Sequence, residues 1–135
     1  MAAWKAKAYP VRYASQVMPL RLELEAGIRQ LFPEAHIHSQ PDGLPHVCHA
    51  SFPRHAVSDF FRRTGHSLAV SSGAACSSGQ RLRPSHVLLA IGRSQEEAKR
   101  GIRFSLGLET QAADIAHCLK LLEEHLHPLA AGLEA

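Results

Sequence analysis

Apolar residues recur at gaps of three and four between residues 11 and 32. Tyr13, Val17, Leu20, Leu24, Ile28 and Leu31 therefore share one helical face. Pro19 falls inside that pattern, and its missing N–H predicts a kink or a helix boundary there. Pro33 stops the helix. The period then drops to two. A short strand is expected over 35–39, followed by the turn-rich run Gln40-Pro-Asp-Gly-Leu-Pro45. A second strand over 46–52 alternates Val47, His49 and Ser51 with Cys48, Ala50 and Phe52, and Pro53 ends it.

The helical period returns over 56–63, with Val57, Phe60 and Phe61 inward and Gly65 closing the segment. Residues 67–70 read as a strand and 84–91 as a helix with Pro84 in its first turn. The apolar face of that helix is Val87, Leu88 and Ile91, and Gly92 ends it. Ser94 and Glu97 have capping-box spacing at the start of another short helix. Over 101–106 the strand period places Ile102, Phe104 and Leu106 toward the core, with Arg103 and Ser105 on the other side. Thr110 is expected to cap a last helix to about His127, with Ile115, Cys118, Leu119, Leu122 and Leu126 on one face. The sum is an α+β fold, a small sheet of about four strands packed against helices.

At 135 residues the chain is one domain, with composition typical of a soluble globular protein. No apolar run approaches a membrane span. The N-terminal residues lack the apolar stretch of a signal peptide, which argues against export. Three cysteines at irregular spacing make no disulfide framework, and a reducing cytoplasmic setting is expected. The net charge of +3 is mild and scattered. Without interleaved aromatics it points away from nucleic acid and is as well explained by an acidic protein partner.

Chemistry concentrates in Val70-Ser-Ser-Gly-Ala-Ala-Cys76-Ser-Ser-Gly79. Small neighbours leave Cys76 uncovered and two glycines loosen the backbone, so the run reads either as a loop presenting a nucleophile or as a plain Ser/Gly linker. A thiolate gains from nearby positive charge or a helix N-terminus. Arg81, Arg83 and the helix opening at Pro84 are close in sequence. Arg103, on a rigid strand, has the planar fork that suits a carboxylate, or it is a surface arginine in a salt bridge. Cys48 and Cys118 fall on apolar faces and read as core residues. Among the ten histidines, His36/His38, His125/His127 and His46/His49 are weak ligand signals. No CxxC, HExxH, phosphate-binding loop or serine elbow occurs, so no metal site is assigned.

Three blocks in order are Val70-Ser-Ser-Gly-Ala-Ala-Cys-Ser-Ser78, Pro84-Ser-His-Val-Leu-Leu-Ala-Ile-Gly92 and Gly101-Ile-Arg-Phe-Ser-Leu-Gly107. Together they resemble the C-terminal part of the cysteine desulfurases. These are pyridoxal-phosphate enzymes of the class V aminotransferase group that feed sulfur to iron–sulfur cluster assembly and thio-modification. The likeness is to the branch with an SSGSAC-type catalytic loop, and it runs from about Leu20 to the C-terminus. It implies the C-terminal small domain of such an enzyme over 20–135, with 1–19 as an interdomain linker or partial helix.

The resemblance further implies that Cys76 attacks the sulfur of cofactor-bound cysteine, leaving alanine and an enzyme persulfide. Arg103 is implied to bind the substrate carboxylate. Implied partners are a cofactor-binding large domain, a sulfur acceptor or iron–sulfur scaffold, and a second copy in the complete, dimeric enzyme. The chain departs from the family at Ala74, where Ser is usual, and at Leu108-Glu109-Thr110, where Arg-Phe-Thr is common. Its lysines, Lys5, Lys7, Lys99 and Lys120, lack the His-Lys setting of the cofactor lysine. The chain alone is therefore expected to be incomplete as an enzyme. A free-standing persulfide carrier or interaction module and an inactive truncated remnant are the other readings.

Overall fold

The computed structural model describes residues 9–68, 70–72 and 84–130. The first long helix, α1, spans Met18–Leu31 and follows a wide turn at Tyr13–Val17. Pro19 explains that turn. Its ring cannot sit against the carbonyl one normal helical turn back, and it has no N–H to offer. The backbone widens instead, and Met18 N–H reaches back to the Tyr13 carbonyl in a π-type bond. The helix continues on the far side with its apolar stripe intact: Val17, Leu24 and Ile28 are buried, while Tyr13, Leu20 and Leu31 pack partly covered against the same core.

Two polar residues share that buried face. Arg21 is fully enclosed and Glu25 nearly so, 3.3 Å apart. The Arg21 guanidinium donates to the carbonyls of Leu44 (2.8 Å), Gln40 (3.0 Å) and Pro41 (3.3 Å), tying the turn-rich loop to α1. Alternating patterns cannot announce such a tether, because its acceptors are backbone atoms.

The remaining elements are β1 (His36–Ile37), β2 (Val47–Ser51), α2 (Val57–Thr64), β3 (Val70–Ser72), α3 (His86–Ala90), α4 (Gln95–Lys99), β4 (Gly101–Ser105) and α5 (Ala112–His125). The four strands form one antiparallel sheet in the order β1-β2-β4-β3. Cys48, Ala50, Ile102 and Phe104 point from the central strands into the core, where α1 and α5 cover them and α2 packs on α5. Phe52 and Phe60 are completely buried, each contributing roughly 1.5–3 kcal/mol through burial. Gly27 lets α5 come close, because a Cβ there would collide with Leu119.

Four boundaries differ from the pattern reading. The first strand is only two residues long. β3 starts three residues later than expected, because Ser67 and Leu68 N–H still bond the Thr64 carbonyl in the turn that ends α2. Gln111, not Thr110, caps α5: it forms a capping box with Asp114, while the Thr110 hydroxyl accepts from Gly107 N–H and closes the preceding turn. In α3, only Leu88 is buried; Val87 and Ile91 are exposed. A five-residue helix spans little more than one turn, so one side chain alone reaches the sheet. The Ser94–Glu97 capping box forms as expected.

Candidate functional site

Arg103 occupies the middle of β4, flanked by His49 of β2 and Ser71 of β3 in register. Period-two alternation turns it away from the core face that Ile102 and Phe104 fill, and it is half-buried. Among the described residues it makes no ion pair and no side-chain hydrogen bond, so its planar fork is available. The salt-bridge alternative finds no partner there.

Cys76 lies outside the described residues, as do Arg81 and Arg83. The structure does describe where the run begins. Ser71 pairs with Arg103, and Ser72, the last residue of β3, precedes Cys76 by four positions. The run re-enters the described chain at Pro84, and Ser85 then caps α3 by accepting from Leu88 N–H.

The sheet face that carries Arg103 bears a polar layer that residue patterns do not reveal. His38 follows β1, and its N–H bonds the His49 carbonyl (2.8 Å). The two rings meet edge to face at 5.4 Å. The Ser51 hydroxyl donates to the Glu97 carbonyl (2.8 Å) and accepts from His38 Nε2 at 2.7 Å. Because that hydroxyl has one proton, the His38 proton sits on Nε2 and the lone pair on Nδ1. Burial, then the neighbouring His49 and Arg93, lowers His38 to about 4. Burial and then Arg103 lower His49 as well. Both imidazoles are therefore neutral near pH 7. Beyond them, the Glu97 carboxylate accepts from His36 and from Ser94 N–H, and these bonds hold it down to about 2.

Of the histidine pairs noted in the sequence, the strands bring together His36, His38 and His49, whereas His46 stacks on Tyr13. The missed signal was joint alternation: Ser51, His49 and Arg103 each sit on the outward set of a strand, but only the β2–β4 pairing makes them neighbours. Among the described residues, no three of His, Cys, Asp or Glu converge as a metal site requires.

The two other thiols are core residues. Cys48 and Cys118 are buried and unpaired. Burial pushes each up to about 12, with the Glu25 charge adding to the effect at Cys48.

A pyridoxal phosphate site needs an enclosed lysine, and the described residues do not fit one. Lys120 is 68% exposed on α5 and lies 3.7 Å from Glu124, while Lys99 closes the short α4. Lys5 and Lys7 lie outside the described residues. No described helix is long and apolar enough to cross a membrane.

No protein-family model matches the chain. A protein named cysteine desulfurase IscS from Buchnera aphidicola subsp. Schizaphis graminum is 36% identical over 113 residues, covering 83% of this chain and 27% of its own. The protein of that name from Photorhabdus laumondii is 36% identical over 108 residues, with 79% and 26% covered. A cysteine desulfurase of Azotobacter chroococcum is 34% identical over 123 residues, with 88% and 30% covered. Among solved structures, a NifS-like protein superposes with a TM-score of 0.66 at 28% identity, covering 82% of this chain and 27% of that one. A NifS-like protein from Rickettsia africae shares the fold, with a TM-score of 0.72 at 24% identity over 90% and 31% of the two chains. By sequence and fold together, the chain belongs to the cysteine desulfurase family, of whose members it spans about a quarter to a third.

Proposed function

We propose that the chain is the C-terminal small domain of a cysteine desulfurase, with Cys76 as the sulfur-carrying nucleophile and Arg103 as the anchor for an amino-acid carboxylate. Residues 1–19 act as the linker to a large domain that supplies pyridoxal phosphate and its lysine. The observation that carries this reading is Arg103. It is a guanidinium with no ion pair among the described residues, held on a central strand of the sheet, one strand from the residue where the cysteine run departs.

The chain's own chemistry needs no cofactor. The Cys76 thiolate attacks the outer sulfur of a donor persulfide, R–S–SH. A new sulfur–sulfur bond forms on Cys76, the old one breaks, and the donor leaves as thiolate with no net change in oxidation state. The sulfur then passes to an acceptor, such as an iron–sulfur scaffold, by the same exchange.

A free-standing persulfide carrier uses the same step. The lack of an enclosed lysine among the described residues favours it over independent turnover of cysteine. One measurement separates the readings and a second tests the step they share. An in-frame His-Lys cofactor motif in the coding DNA upstream of Met1 supports the fragment, and unrelated sequence there supports the carrier. Incubation with labelled L-cysteine and an intact desulfurase should place label on wild-type chain but not on Cys76→Ser; equal labelling of both rules out either reading.

A further inference from the structure

We propose that a carboxylate settling on Arg103 draws a proton onto the His38–His49 pair across the β2–β4 pairing. The inference rests on reading Arg103 as a carboxylate ligand, and deepens it.

The geometry starts at Gly101. Residues 101 and 103 share one face of β4, and a Cβ on Gly101 would lie 2.8 Å from His49 Nε2. The absent side chain is the seat of the ring. His49 stands directly opposite Arg103, yet its ring leans over Gly101, where Leu88 of α3 also approaches. The half-buried Arg103 thus lies opposite a neutral imidazole that cannot neutralise it. The His49 backbone is fixed at both ends, its N–H on Ser39 Oγ and its carbonyl on His38 N–H.

The pair also has room for a proton. His49 Nε2 and His38 Nδ1 are both buried without a hydrogen-bond partner among the described residues. On His38 this nitrogen is the basic one, since Nε2–H is committed to Ser51. Unpartnered buried ring nitrogens are costly and call for an explanation. The titratable and charged groups facing the pair are Arg103 from β4, Arg93 from the turn before α4, Glu97 from α4 and His36 from β1. Glu97 is already occupied by His36 and Ser94. Arg103 is the charge that opposes protonation of His49, and a bound carboxylate cancels it. By reciprocity, the carboxylate binds more tightly as pH falls. No such linkage arises if the Arg103 charge does not act on His49.

The test uses the full chain, L-alanine as the probe, and NMR titration of the histidine rings. Without probe, Arg103→Ala should raise the His49 titration midpoint, and Arg103→Lys should leave it in place. Saturating L-alanine should raise it in wild type. A half-unit rise corresponds to a Kd about three-fold tighter at the acid end of the titration. His49→Asn should bind the probe with a Kd that no longer changes with pH. His49 midpoints unmoved by Arg103→Ala or by saturating probe overturn the inference while leaving the carboxylate site standing. Absence of probe binding by wild type overturns the carboxylate reading itself. The ligand-free comparison of wild type with Arg103→Ala still decides whether the two side chains are coupled.

Discussion

Cys48 and Cys118 face each other's elements across the core, and loss of hydration keeps both thiols protonated to about pH 12. Thiolate is the reactive form, so neither should react in the folded chain. A thiol-reactive chromophore should therefore titrate one equivalent in native protein and three in denaturant, the native equivalent vanishing in Cys76→Ser. Two fast native equivalents would contradict the assignment. These cores were legible in sequence because each cysteine sits on an apolar stripe. The histidines were not, since their neutrality comes first from burial in the folded sheet and then from charges on other elements. His38 gives this a pH signature. Its folded value of about 4 lies below the ordinary 6.5, so the unfolded chain binds the extra proton. Stability is fully present above pH 6.5 and is lost as pH falls toward 4. Thermal unfolding followed over that window should show a falling Tm, and His38→Gln should flatten it; an unchanged slope would remove His38 as the cause.

Among the elements, α1 shows where pattern reading succeeds and where it stops. Its stripe and the disturbance at Pro19 follow from residue spacing, because both act within one helix. Arg21 and Glu25, four residues apart, are buried, since the loop over 40–44 folds across them, and spacing within the helix carries no sign of that. Removing Arg21 leaves the buried Glu25 carboxylate, among the described residues, with only the largely exposed Arg29, 3.7 Å away. Arg21→Met should cost about 3–5 kcal/mol in urea unfolding, whereas Arg21→Met with Glu25→Leu should recover most of that loss. Equal losses in the single and double variants would mean that the loop carbonyls, not the ion pair, set the cost. The capping box of α4 was legible for the opposite reason: donor and acceptor lie three residues apart. Ser94→Ala should destabilise the chain by about 1 kcal/mol by the same measurement. No change would show that the Glu97–His36 contact holds the helix end without it.

At the scale of the whole molecule, strand order makes the site. β4 enters the sheet between β2 and β3, which sets Arg103 between the histidine layer and the strand that leads to Cys76. Strand count and α+β class follow from alternation and spacing along the chain. The order β1-β2-β4-β3 does not, because it depends on which edges meet, and with it the His49–Arg103 pairing stays hidden. The span of the chain, about a quarter to a third of its relatives, leaves sulfur handling at Cys76 as the activity to test directly. Treatment of the folded chain with a small-molecule persulfide, followed by intact-mass and peptide-mapping spectrometry, does so. The account predicts one added sulfur atom, confined to the Cys76 peptide, removed by thiol reductant and absent from Cys76→Ser. An unmodified Cys76, or sulfur distributed equally to Cys48 and Cys118, would contradict it.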